Sequence, residues 1–383
     1  MPGALDKGQV RELNELGLVT MRGAGRLRIG ACSVDLSLSD EGYLLKRGSV
    51  KPSTGYPFDS ILKKQSRMAE RLSRSPDGSF LLERRNTYVF KLRERLDCTL
   101  ANANIHGQAT AKSSIGRLDV LARLIVDGMD TYESFDPRRL KQSTGDMYIE
   151  ITPITFNVSV RPRLHMTQLR LFYGRPEDSI MSGAEIFKTV LGPEAKEGIL
   201  TVNLTDESKG GVPVAAYRAK TSGRKEESIR LWVKQKEVPW QYWRFVRADG
   251  QKRLQIENGR FYILRSKERL YVPKGIAIYC KASDETIGEM RIHYAGFVHP
   301  GFGMKRGDGL RGTPLIFEVR GHQVNANLKD GEKMANLIFY RMSRGIFAEM
   351  NKSYNDQNLK LSNVFKEWPK KLKIDSDGNV QPS

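Results

Sequence analysis

Residues 80–116, FLLERRNTYVFKLRERLDCTLANANIHGQATAKSSIG, and residues 254–288, LQIENGRFYILRSKERLYVPKGIAIYCKASDETIG, are two copies of one pattern. Glu83 matches Glu257, Tyr88 matches Tyr262, and Glu94-Arg95-Leu96 matches Glu268-Arg269-Leu270, all at an offset of 174 residues. After a small gap Ile115-Gly116 meets Ile287-Gly288. Further on, MYIEI (147–151) meets LIFEV (315–319), which aligns Glu150 with Glu318, and QLRLFYG (168–174) meets NLIFYRM (336–342). Self-similarity of this kind marks an internal duplication of one structural unit. The unit itself is β. SFLLE, TYVFKL, IHGQATA, YIEITPITFNVSV and QLRLF are short strand-like runs separated by turn residues, at the spacing of all-β sandwiches and barrels.

Outward from this repeat, the chain reads as a mainly β protein of two tandem jelly-roll or β-barrel domains with a few short helices. The first domain spans 1–173, a linker 174–228, a second and diverged copy 229–345, and a C-terminal tail 346–383. QVRELNELGLVT (9–20) has helical spacing at Val10, Leu13 and Leu16 and stops at Gly17. From Cys32, CSVDLSLSDEGYLL alternates like a half-buried strand. Residues 50–79 resemble an insertion with Pro/Gly turns and a short helix. In the linker, AEIFKTVL is a helical turn, and GILTVNL with VPVAAYRAK suggests a hairpin. The last residues are polar and expected to be disordered. Tyr354 to Trp368, with Leu359, Lys360 and Phe365, is expected to fold back as a lid or to dock as a surface helix.

With 383 residues, 39% of them hydrophobic, the chain is long enough for two cored domains. No apolar run approaches the roughly 20 residues that span a bilayer, and the N-terminus is charged too early for a secretory signal. A cytoplasmic protein without membrane contact is expected. Three separated cysteines (Cys32, Cys98, Cys280) fit reduced thiols, and five histidines show no HxE or HxxxH spacing, so no metal site and no zinc are expected. The net charge of +19 favours polyanionic partners. It is spread along the chain instead of forming a stripe with interleaved aromatics, which speaks against nucleic acid.

The stretch QATAKSSIGR (108–117) reads as a phosphate grip. Ser113 and Ser114 offer hydroxyls, Lys112 and Arg117 offer positive charge, and Gly116 relaxes the backbone. Hydroxyls and guanidinium together donate charge-assisted bonds to phosphate oxygens. An ordinary basic turn with Ser caps is the plain alternative. In the second copy, KASDETIG keeps Lys281 and Ser283 but gains Asp284 and Glu285 and has no arginine, so it is expected to repel a triphosphate.

With CSVDLSL, KSSIGRL, a glutamate-bearing strand YIEI and QLRLF in order, and with HYAGFVHPGFG in the second copy, the chain resembles the dUTPase/dCTP deaminase superfamily, and most closely the double-length bacterial dCTP deaminases. The resemblance implies dUTPase-like domains, assembly as a homo-oligomer, expected as a trimer, with sites shared between neighbouring units, and zinc-free hydrolytic deamination of dCTP to dUTP and ammonia. It assigns Lys112, Ser113, Ser114 and Arg117 to the triphosphate, with Arg117 also orienting the catalytic water. It places Asp130 near the deoxyribose and makes Gln168 a possible contact whose likelier role is packing. Magnesium is expected to ride on the phosphates. Hydrolytic deamination needs one group to take a proton from water and return it to the leaving nitrogen. A strand glutamate among apolar neighbours, its pKa raised by desolvation, suits that role. Glu150 is the expected catalytic residue, opposed by the plain reading of a strand residue paired to a surface cation. Because each copy keeps only part of a site, a composite site using the first copy's grip and Glu318 is the competing expectation. His299 stands where the family usually has aspartate before Pro-Gly. A dUTP pyrophosphatase using Asp130, and a non-catalytic nucleotide- or nucleic-acid-binding protein, are the alternative functions.

Overall fold

The computed structural model describes residues 1–52, 58–64, 68–140, 144–220, 228–282, 290–293, 296–304, 312–344 and 358–383. Six main strands build the first half: β1 (Val34–Leu45), β2 (Thr87–Asp97), β3 (Ile105–Ala111), β4 (Val120–Val126), β5 (Thr144–Pro153) and β6 (His165–Tyr173). Six more build the second: β7 (Ile199–Asn203), β8 (Phe261–Leu270), β9 (Ile276–Ala282), β10 (Met290–His293), β11 (Thr313–Gly321) and β12 (Lys333–Arg341). Neighbours run in the order β3-β6-β1-β2-β5-β4 in the first half and β9-β12-β7-β8-β11-β10 in the second. The second order is the first with each strand replaced by its counterpart, and every one of these pairings is antiparallel. The protein is therefore mainly β, with two barrel-like sheets and few helices.

The residues shared by the two copies make the same bonds. Glu94 on β2 accepts from the amide (2.8 Å) and hydroxyl (2.6 Å) of Ser37 on β1. Glu268 on β8 accepts from the amide and hydroxyl of Thr201 on β7, both at 2.7 Å. The amides of Glu83 and Glu257 donate to the hydroxyls of Tyr88 (2.8 Å) and Tyr262 (3.2 Å). Glu94 and Glu268 thus fasten the sheet where the ladder shifts register, Glu94 at the shift between β2 and β5 and Glu268 at the shift between β8 and β11.

The leading helix runs Lys7–Glu15, capped by Asp6 and Gln9, with Val10 and Leu13 buried; Leu16 points to solvent. Residues 174–228 are not merely a linker. They contain the expected helix (Ala184–Leu191), but also β7 and the strand Ala216–Ala219, which pairs with β8. GILTVNL and VPVAAYRAK form no hairpin with each other, because β7 is taken up between β8 and β12. The chain end is also ordered. Leu372–Ile374 pairs with Val380–Pro382, and burial of Leu372 and Val380 holds that hairpin in place despite its polar composition.

One core joins the halves. Trp243, Phe245, Phe261 and Ile263 of the second half, and Leu359, Leu361, Val364 and Phe365 of the tail, pack into the same cluster as Phe90, Ile149 and Phe156 of the first. A short three-stranded sheet of Phe80–Leu82, Val158–Val160 and Ile229–Arg230 crosses between them. At another contact Arg170 on β6 is fully buried, donating to the carbonyls of Ile278 (3.1 Å) and Val298 (3.4 Å) and stacking on Phe297 at 4.0 Å. This docking sets the end of β3 and the short helix after it against β11.

Candidate active site

The KSSIGR segment leaves β3 and forms a four-residue helix, Ser113–Gly116, with Ile115 buried beneath it. The left-handed residue here is Asp119, at φ 58°, and not Gly116. That turn puts Arg117 and Asp119 against the second half, where β11 presents Glu318 and Arg320. Arg117 Nε lies 4.0 Å from Glu318 Oε1, and both side chains are buried. The same Nε donates to Ser113 Oγ (3.1 Å), and an Arg117 terminal nitrogen donates to the carbonyl of Lys360 in the tail (3.2 Å). The hydroxyl of Ser362 donates to the carbonyl of Ser114 at 2.7 Å. Burial pushes the Glu318 carboxyl up to about 8, against the opposing pull of Arg117. Burial also pushes the Cys280 thiol up to about 12, with the charge of Glu318 adding to it.

Two residues further along each segment, Asp119 and Arg320 form a second contact between the halves. Asp119, with no exposed surface, takes an ion pair from Arg320 and a hydrogen bond from the Thr155 hydroxyl at 2.6 Å. Arg320 also donates to Thr155 Oγ1 (2.5 Å) and to the Gly259 carbonyl (2.7 Å), and burial draws its pKa down to about 10. A buried, fully bonded ion pair fixes the spacing of its two backbones. Here it fixes the approach of Glu318 to Arg117.

Glu150, the counterpart of Glu318, is also buried, but its surroundings differ. Its cross-strand neighbour on β4 is Arg123, where Glu318 has His293 on β10. Arg123 forms an ion pair with Glu150, stacks on Tyr132 at 4.1 Å and donates to Ser49 Oγ at 3.3 Å. The hydroxyls of Tyr132 (3.1 Å) and Ser49 (3.2 Å) also donate to the Glu150 carboxylate. None of these partners belongs to the grip. The space around Glu150 is filled from within by Arg123, Tyr132 and the segment after β1. The expectation of a catalytic Glu150 thus meets a carboxylate already bonded to its own cation, while the composite arrangement brings Glu318 to the grip. Glu150→Gln is expected to leave turnover within a few-fold and to cost about 1–3 kcal/mol of stability for the lost charged hydrogen bonds, measured by urea unfolding.

The other expected residues divide. Ser113 and Ser114 lie beside Arg117. Lys112 turns to Asp35, at 2.5 Å, a carboxylate it shares with Arg28. Asp130 is half-exposed and held by Arg139 at 2.5 Å. Gln168 on β6 accepts from Ser33 Oγ (3.4 Å) and meets His299 Nε2 (3.2 Å), whose other ring nitrogen lies 3.3 Å from Cys32 Sγ. Burial, reinforced by Arg170 and Lys112, pushes His299 down to about 3 and keeps it neutral. Gln168 and His299 therefore join the two halves as a packed polar seam. Ser283, Asp284, Glu285 and Tyr354 lie outside the described residues. Among the described residues no three His, Cys, Asp or Glu side chains gather as metal ligands, and no helix is long and apolar enough to cross a membrane. Lys360, Asp119 and Arg320, which brace the approach of Arg117 to Glu318, were not legible in the sequence.

The fold is duplicated, and a basic, hydroxyl-bearing turn from one copy faces a buried glutamate from the other. The family descriptions for the 2'-deoxycytidine 5'-triphosphate deaminase N-terminal and C-terminal domains match residues 1–175 and 179–365. The chain belongs to the 2'-deoxycytidine 5'-triphosphate deaminase family. A similar solved structure is the crystal structure of 2'-deoxycytidine 5'-triphosphate deaminase from Agrobacterium tumefaciens, at 27% identity and a TM-score of 0.77, covering 90% of this chain and 99% of that one. No curated relative matches the chain.

Proposed function

We propose that this chain hydrolyses dCTP to dUTP and ammonia without zinc, with Glu318 of the second half as general acid and base and with Arg117, Ser113 and Ser114 of the first half holding the triphosphate. The observation that carries this reading is the buried approach of Arg117 to Glu318 across the two copies. A carboxyl whose pKa sits near 8 can both take and return a proton near neutral pH. In the ionised form Glu318 accepts a proton from a water as the water oxygen bonds to C4 of the cytosine. It delivers that proton to N3, which has taken the electron pair of its double bond to C4, then carries the remaining hydroxyl proton to the amino nitrogen as the C4–N bond breaks, so that ammonia leaves and the C4 carbonyl and N3–H of dUTP remain. Arg117 orients the water from the far side and holds the ionised carboxylate against desolvation.

The donors at the grip are hydroxyls and a guanidinium, a set that suits phosphate oxygens and not a cation, so magnesium is proposed to arrive already bound to the triphosphate. Asp130, which a pyrophosphatase would use to activate water, is tied to Arg139 at a half-exposed position. One chain completes one grip and glutamate pair, and the proposed trimer would carry three. The test is incubation with dCTP and with dUTP in the presence of magnesium, following ammonia and pyrophosphate separately. Ammonia from dCTP without pyrophosphate is the expected result; release of pyrophosphate, or of neither product, removes the reading. Arg117→Ala is expected to raise the KM for dCTP roughly 10- to 150-fold, the equivalent of the 1.5–3 kcal/mol lost with a charged hydrogen bond, measured by steady-state kinetics.

A further inference from the structure

Against the tail lies a cavity of about 660 Å³ whose lining includes none of Ser113, Ser114, Arg117 and Glu318. Its walls are the tail segment 358–370 and the loops at 208–210 and 234–235. Five lysines line it: Lys209, Lys234, Lys360, Lys366 and Lys370, against Glu367 as the one carboxylate on the wall. Lys234, Lys360, Lys366 and Lys370 make no ion pair among the described residues. Lys209 is half-buried and shares Glu207, at 3.1 Å, with an ion pair from Arg265 and a hydrogen bond from the Leu359 amide at 3.0 Å. Burial lowers the pKa of Lys209, so this charge is held partly out of water. Positive groups gathered round a concave space raise the local concentration of anions. The volume falls within the roughly 300–1,000 Å³ range of small-ligand sites. The indole of Trp368, packed on Phe245 (4.7 Å) and Tyr217 (5.4 Å), gives the cavity one rigid wall.

We infer that this cavity is a second anion site, which takes a polyphosphate chain, either free or carried by a nucleotide, through its lysines. Its inner wall is the same segment whose Lys360 carbonyl and Ser362 hydroxyl reach Arg117 and Ser114. The two sites therefore meet at one strip of backbone.

The test is a calorimetric titration of the full chain with tripolyphosphate, in the native protein and in Lys366→Glu/Lys370→Glu. The native protein is expected to bind two equivalents, one at the grip and one in the cavity, and the variant one. If the grip reading fails and the cavity holds, the counts become one and zero. An equal count and affinity in the two proteins overturns the second site. Lys366→Gln/Lys370→Gln, which removes charge without reversing it, is expected to weaken the second equivalent at least tenfold; no weakening counts against the proposal in the same way. Titration with a nucleoside triphosphate separates the two sources. Tighter binding than tripolyphosphate at the lysine-dependent site assigns it to a nucleotide, and equal or weaker binding to a free phosphate chain.

Discussion

Glu318→Gln is expected to abolish deamination while leaving dCTP binding nearly intact. The amide keeps the shape and the hydrogen-bonding reach of the side chain but cannot shuttle the proton, and a positioned acid or base of this kind contributes roughly 10²–10⁴-fold. Ammonia release should fall by at least that factor, with the dissociation constant for dCTP within a few-fold of the native value. Glu150→Gln is the control. If it stops turnover and Glu318→Gln does not, the catalytic carboxylate belongs to the first copy. The same substitution should show itself in stability. The folded protein holds the Glu318 proton up to about pH 8, against an ordinary value of 4.5. That contribution is complete below 4.5 and is lost as pH rises through 8. The stability of Glu318→Gln relative to the native protein should therefore grow between pH 4.5 and 8 and level off above. A difference in melting temperature that stays flat from about pH 5 to 9 would show that the carboxyl titrates normally.

Asp119→Asn is expected to destabilise the protein by about 3–5 kcal/mol, because it leaves the Arg320 charge buried without its partner. Asparagine tolerates the left-handed conformation that Asp119 adopts, so the loss reports the ion pair and not the backbone. Asp119→Ala should cost more, since it adds that backbone strain. Adding Arg320→Met to Asp119→Asn should recover part of the loss, and the double-mutant cycle by urea unfolding gives the coupling. A coupling below about 0.5 kcal/mol, the level at which independent sites simply add, would mean that the pair does not anchor the halves. Since Asp119 and Arg320 each sit two residues from a member of the proposed catalytic pair, kcat should fall together with stability.

Much of the fold was readable because the duplication supplied its own alignment. Glu94 and Glu268, matched by offset alone, turn out to fasten equivalent strands through equivalent bonds. The basic, hydroxyl-bearing turn at 112–117 was readable as a string of donors, and the glutamate pair as aligned positions. The choice between Glu150 and Glu318 was not. It rests on Arg123, which stands across the strand from Glu150 and pairs with it, and strand register is a property of the folded sheet. The ion pair of Lys112 was hidden for a similar reason, since its partner Asp35 comes from a strand far away in sequence. The region 174–228 looked like a linker because its strands are short and separated by charged turns; pairing with β8 and β12, both well downstream, makes them part of a sheet. The ordered chain end was hidden by composition, because two buried side chains suffice to hold a hairpin that is otherwise polar.

The meeting of Arg117 and Glu318 within a single polypeptide has a kinetic meaning. When two parts of a site belong to separate molecules, their encounter follows mass action and fades on dilution. Covalent linkage replaces that encounter with a fixed effective concentration, of millimolar order for short connections. The approach of Arg117 to Glu318 is thus independent of how much protein is present.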